Sequence, residues 1–206
     1  MDTKHVIITL GREFGSGGHE IGRKLAERLG IAFYDKEILT RAAKESGICE
    51  ELFENHDEKT SPSYLFSLVS KVGYPSGRTP ADAPLNHRIY MAQFEAISKL
   101  AMEGPCVIVG RCADYVLRDQ QHVVRLFLYG SLSERIARIK RLRELSGDKA
   151  KELIRKMDKQ RQSYYNFFAE GNWGQRVNYD LMLNTDGLTE DAAAEVLATY
   201  LQNRAD

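Results

Sequence analysis

Residues 11–22 read GREFGSGGHEIG. Before them, His5–Leu10 is an apolar, β-branched run that predicts a strand ending at Gly11. After them, Ile21, Leu25, Ala26 and Leu29 fall on one face at helical spacing, and Gly30 supplies a stop. The order is therefore strand, glycine loop, helix. At such a junction the first backbone N–H groups of the helix have no intrahelical partner, and the helix dipole adds positive potential. Glycines let the chain curl so that several N–H groups converge on one anion. Gly15, Ser16, Gly17, Gly18, His19 and Glu20 thus read as a phosphate cradle. The bland alternative, a glycine-rich turn with no ligand, explains the glycine density less well.

Two motifs compete for this loop. GxGxxG fails on spacing, because Gly15 and Gly17 are followed by Glu20 and the next glycine is Gly22. GxxxxGK followed by Ser or Thr fits better in position than in letter. With Gly17 on the second glycine, Arg12 falls on the first, Gly18 on the lysine and His19 on the hydroxyl residue. A P-loop lysine reaches the β- and γ-phosphates, and the hydroxyl holds Mg²⁺. Gly18 has no side chain for either task. Arg12, His19 or a basic residue from a closing segment are the candidates to replace the lysine, and Glu20 is a carboxylate within reach of a metal. With no second His, Cys or carboxylate cluster near it, His19 reads more readily as a polar first-turn residue than as a metal ligand.

Outward from the loop, strand and helix patterns alternate. Ile31–Tyr34, Cys106–Val109, His122–Leu128 and Tyr179–Leu183 read as strands. Helical stretches run from Lys36 to Ser46, from a cap at Asn86 to Met102, over Leu132–Arg143 and Ala150–Tyr165, and from Leu188 to Gln202 with Thr189 as cap. This order predicts an α/β fold, a parallel sheet wrapped by helices on both faces. Residues 60–84 carry four of the five prolines and read as an irregular connection. The 206 residues suit one domain. Lys plus Arg and Asp plus Glu are 29 each, which argues against bulk attraction to nucleic acid or to an acidic membrane. Three cysteines without CxxC spacing fit reduced thiols in the cytoplasm. The apolar run near the N-terminus is too short for a signal peptide or a membrane span.

With the loop and the strand order in hand, the chain resembles the cytidylate kinase-like branch of P-loop nucleoside monophosphate kinases. The resemblance rests on FYDKEILTR (33–41), VGRCAD (109–114), RLFLYGSLSER (125–135), MDKQR (157–161) and NTDGLTED (184–191). It implies a three-layer domain with about five parallel strands. The core would be residues 1–39, 104–143 and 179–206, with an acceptor-binding insertion at 40–103 and a lid at 144–178. It implies phosphoryl transfer from ATP, with Mg²⁺, to a nucleoside monophosphate, CMP first. Asp35, Arg41 and Arg111 would bind the acceptor, and Lys159 and Arg161, with Arg12, would act on the transferred phosphoryl group. Cys112 replaces an Asp of the family pattern, and Gly18 replaces its Lys. Arg141, Arg143 and Arg155 are reserve cations, although the run from Arg135 to Arg143 reads first as a solvated helix face. Asp35 reads equally well as a plain helix cap. Tyr164, Tyr165, Phe167, Phe168 and Trp173 offer faces on which a base would stack, but read first as packing of the lid or as a contact between copies of the chain. Two other functions fit the same residues: a nucleotide-binding protein with little kinase activity, and a P-loop kinase for a different small acceptor.

Overall fold

The computed structural model describes residues 6–56, 85–169 and 171–204. The stretch at 60–84 lies outside the described residues, as does His5. β1 (Ile7–Arg12) is the middle strand of five. β2 (Ala32–Tyr34), β3 (Cys106–Val109), β4 (Val123–Tyr129) and β5 (Leu181–Asn184) complete a sheet of order β2-β3-β1-β4-β5. Every pairing is parallel, with Leu10 opposite Val109 on one side and Leu126 on the other. A parallel sheet is covered on both faces, so its strands are apolar throughout while still alternating in the face they serve.

That alternation divides the core. Ile8 and Leu10 of β1 and Val107 and Val109 of β3 point to α1 (Gly18–Leu29) and to the last helix, Glu190–Asn203. There they meet Ile21, Leu25, Ala194 and Leu197. Ile7, Cys106 and Ile108 point the other way, toward α2 (Glu37–Ser46), α3 (Glu50–His56), α4 (Leu85–Glu103) and the short α5 (Ala113–Val116). Ile38, Phe53, Ile97 and Leu100 fill that side. Two further helices, α6 (Leu132–Arg143) and α7 (Gly147–Phe168), pack together beyond the glycine loop through Ile139, Ala150 and Ile154 with Phe14. The last helix, α8, is capped as expected: the Thr189 hydroxyl accepts from the Ala192 amide at 3.1 Å.

In this strand order β2 and β3 lie on one side of β1, and β4 and β5 on the other. The carboxyl ends of β1, β3 and β4 therefore flank a switch point, the place where open α/β sheets bind ligands. The glycine loop, Asp35, the 110–114 segment, Gly130 and Thr185 all follow strands at that end.

Candidate functional site

The loop is set by two left-handed residues, Gly15 (φ 87°) and Gly17 (φ 84°). A Cβ on Gly17 would collide with the Arg138 guanidinium. Non-glycine residues avoid this backbone region, so the conformation calls for glycine at both positions. Ser16 closes the turn on the Glu13 carbonyl, through its amide (3.3 Å) and its hydroxyl (2.9 Å). Among the described residues, the amides of Gly15 and of Gly17 through Glu20 donate to no acceptor. They border a cleft of about 290 Å³, also lined by Arg12, His19, Asp35, Arg138, Arg143 and Arg161. Unpaired amides at a helix N-terminus, ringed by guanidinium groups, fit a polyphosphate.

Gly18 owes its identity to Arg12. A Cβ at position 18 would lie 2.7 Å from Arg12 Cγ and 2.8 Å from Arg12 Cβ. The arginine stem thus crosses the space from which a P-loop lysine would grow. A long cation is still present, but it enters from the end of β1.

The loop is bolted to α6 and α7 by a charge network. Asp158 accepts from the Phe14 amide (2.7 Å) and from Arg135 (2.6 Å). Arg135 also donates to the Phe14 carbonyl (3.2 Å) and faces Glu13 at 3.4 Å. Burial raises the Glu13 carboxyl above its ordinary range, against the Gly130 amide bond and the Arg135 charge. Arg161 donates to the Arg12 carbonyl at 3.2 Å and lies over the Phe14 ring. Sequence reasoning missed Arg135 and Arg138. Their i, i+3 spacing was the available signal, because it puts both on the helix face that also carries the buried Ile139.

Of the predicted acceptor residues, the structure joins two. Arg111 is buried, donating to Asp35 (2.8 Å) and to the Val109 carbonyl (3.0 Å). It stands with Cys112 in left-handed backbone, at φ 53° and 55°. Such geometry costs about 1–3 kcal/mol per residue and persists where surroundings over-determine it; here the buried ion pair does so. Asp35 is not the cap of α2: its carboxylate goes to Arg111 and, at 2.6 Å, to His19 Nδ1. Burial alone would raise Asp35, but the charges of Arg12 and Arg111 and the bonds from Arg111 and His19 hold it below the usual carboxylate range. Arg41 is not brought to this cleft. It pairs with Glu45 and, at 2.6 Å, with Glu103 on the outer side of α2. Lys159 is exposed on α7 and lines neither this cleft nor its neighbours.

A second cavity, about 310 Å³, adjoins the first at Gly15. Arg138 and Arg141 of α6 line one side, and Thr185 to Leu188 after β5 line the other. Beneath Arg111, a smaller pocket is walled by Thr9, Asp114, Tyr164, Tyr165, Trp173 and Tyr179. The predicted aromatic group packs within the chain: Phe168 stacks on Tyr90 at 3.9 Å, and Tyr164 donates to Gln93 at 2.8 Å. Among the described residues no group of three His, Cys, Asp or Glu is arranged to hold a metal ion, and no helix is long and apolar enough to cross a membrane.

A sequence profile described as the cytidylate kinase-like family matches residues 7–187, from the first strand through the Thr185–Gly187 turn. The chain belongs to the cytidylate kinase-like family. A crystal structure of an uncharacterized protein from Eubacterium ventriosum ATCC 27560 is similar to this family member at 29% identity, with a TM-score of 0.73, covering 97% of this chain and 99% of that one. Shikimate kinase from Bacteroides thetaiotaomicron gives 14% and 0.53, over 96% of this chain and 98% of that one. Shikimate kinase from Acinetobacter baumannii gives 18% and 0.51, over 100% and 97%. At those identities the two shikimate kinases speak to the fold: this cytidylate kinase-like chain has the P-loop kinase architecture. No curated protein matches the sequence significantly.

Proposed function

We propose that the protein transfers the γ-phosphoryl group of ATP to a small acceptor, of which two classes fit: a nucleoside monophosphate, CMP first, and a small hydroxyl compound. The observation that carries the phosphotransfer reading is the set of unpaired amides of Gly15 and of Gly17 to Glu20 beside Arg12, in a member of a kinase-like family. ATP, bound with Mg²⁺, supplies the phosphoryl group and much of the charge neutralisation. The amides and Arg12 hold its terminal phosphates, and Arg161 and Arg138 flank them. The cavity between α6 and Thr185–Leu188 receives the base. Asp35, oriented by Arg111, faces the acceptor. Glu20, at the rim of the same cleft, is a carboxylate that could orient the water shell of the bound metal. The division into core (1–39, 104–143, 179–206), acceptor region (40–103) and lid (144–178) belongs to the same proposal, with α7 covering the phosphates. The cytoplasm is the compartment that supplies such nucleotides.

One observation favours a second acceptor class. Arg41 is engaged elsewhere and Arg111 is buried on Asp35, whereas His19 stands open in the cleft. That set suits a small hydroxyl compound. The test is ADP release with ATP, Mg²⁺ and a panel of monophosphates and small alcohols. Turnover with CMP supports the first acceptor and turnover with an alcohol the second. Thermal stabilisation by ATP with no ADP release refutes phosphotransfer and leaves a nucleotide-binding protein.

A further inference from the structure

His19 and Asp35 stand 16 residues apart in sequence and meet at 2.6 Å. An ionised carboxylate only accepts hydrogen bonds, so Nδ1–H donates to Asp35, and in that tautomer the ring carries its free lone pair on Nε2. Phe33 sets the ring edge-on at 5.3 Å. Glu20 Oε1 stands 4.0 Å from Nε2, beyond hydrogen-bond reach, and 53% of the His19 side chain is open. Among the described residues Nε2 therefore has no hydrogen-bond partner. It stands one residue beyond Gly18, in the cleft bordered by the unpaired amides. Asp35 is itself fixed from behind by Arg111, whose guanidinium also holds the Val109 carbonyl. A carboxylate that orients an imidazole whose far nitrogen is open has the arrangement of a general base.

We propose that His19 is the general base of this reaction, with Asp35 and Arg111 as positioning residues, and that the acceptor is a small hydroxyl compound. A monophosphate acceptor attacks through an oxygen already ionised at neutral pH and has no proton to lose. A hydroxyl acceptor does have one. As its oxygen forms the new bond to the γ-phosphorus, its O–H proton passes to His19 Nε2. The bond from phosphorus to the β,γ-bridging oxygen breaks, and its electron pair leaves with ADP. His19 then returns the proton to solvent, so the balance is alcohol plus ATP giving phosphate monoester, ADP and one proton. This inference rests on the phosphotransfer reading and decides between its two acceptor classes.

The experiment compares wild type, His19→Gln and Asp35→Asn. ADP release is followed with ATP and Mg²⁺ plus CMP, glycerol, D-ribose, D-gluconate or shikimate, and with water alone as the simplest hydroxyl acceptor. Binding of a fluorescent ATP analogue is measured in parallel. His19→Gln, a half-exposed change that leaves the fold intact, should lower transfer to the hydroxyl acceptor or to water by about 100-fold or more. ATP affinity should stay within about threefold, since His19 acts on the acceptor and not on the donor. Asp35→Asn should lower kcat while leaving the KM for ATP unchanged. Equal rates in wild type and His19→Gln, or transfer confined to CMP, overturn the base and leave phosphotransfer standing. Wild-type protein that binds ATP yet releases no ADP under any condition overturns both.

Discussion

Replacing Gly18 by Ala tests whether Arg12 occupies the place of the P-loop lysine. The added methyl would sit 2.7 Å from Arg12 Cγ and 2.8 Å from Arg12 Cβ. These are the first carbons of the side chain, so the arginine cannot swing its tip aside to make room. Overpacking of this kind destabilises by about 1–3 kcal/mol. Ala in place of Gly in a helix returns up to about 1 kcal/mol, and less in the first turn. The expected net loss is about 0.5–2 kcal/mol, which lowers Tm by about 1–8 °C for a chain of this size. In an Arg12→Gly background both offending carbons are gone. There the same Gly18→Ala change should be neutral or stabilising by up to about 1 kcal/mol. The double-mutant cycle, read from urea unfolding at pH 7, should give a coupling of about 1 kcal/mol or more, above the 0.3–0.5 kcal/mol expected of independent sites. A Gly18→Ala variant as stable as wild type, or additivity in the cycle, would refute the steric argument. Arg12 and Gly18 would then be two unrelated departures from the motif.

Three further outcomes follow. Arg12→Ala should weaken ATP binding by about tenfold or more, as expected for a lost charge-assisted phosphate contact; an unchanged Kd by calorimetry removes Arg12 from the donor site. Asp158→Ala strips the Phe14 amide of its acceptor and leaves the Arg135 guanidinium, 10% exposed, without its 2.6 Å partner, so stability should fall by about 3 kcal/mol in urea; a loss below about 1 kcal/mol shows that the loop is not held by this network. Asp114 accepts from the Tyr165 hydroxyl at 2.7 Å, and burial raises its carboxyl above the ordinary range despite that bond and the nearby Arg125. An acid raised on folding is penalised when ionised, so Asp114→Asn should raise Tm at pH 7.5. The gain should shrink as pH falls from the raised value through 3.8, below which both folded and unfolded carboxyls are protonated; a gain that grows on acidification contradicts the sign.

Strands and helices were legible where one local pattern sufficed. Cys106–Val109 and Leu132–Arg143 stand at the bounds that apolar continuity and charge periodicity indicate. α7 begins earlier than Ala150, because the Ser146 hydroxyl accepts from the Lys149 amide and draws Gly147 to Lys149 into the helix. Each strand and its cover were readable; the partner across the sheet was not. The site divides in the same way. A phosphate-binding backbone follows from glycines at one junction, so it shows in a dozen consecutive letters. The contacts from Asp35 to Arg111, 76 residues on, and to His19, 16 residues back, depend on β3 lying between β1 and β2. No local spacing contains that neighbour relation. The basic run on α6 misled for a related reason. A charge-rich face is solvated unless something covers it, and here the glycine loop lies over Arg135 and Arg138 while Arg141 stays exposed. The missing lysine shows the same limit at its sharpest. Read along the chain, Gly18 is a loss and Arg12 a separate oddity six residues earlier. In space they are one exchange: the arginine stem fills the volume above the helix start, and only a residue without a side chain can stand beneath it.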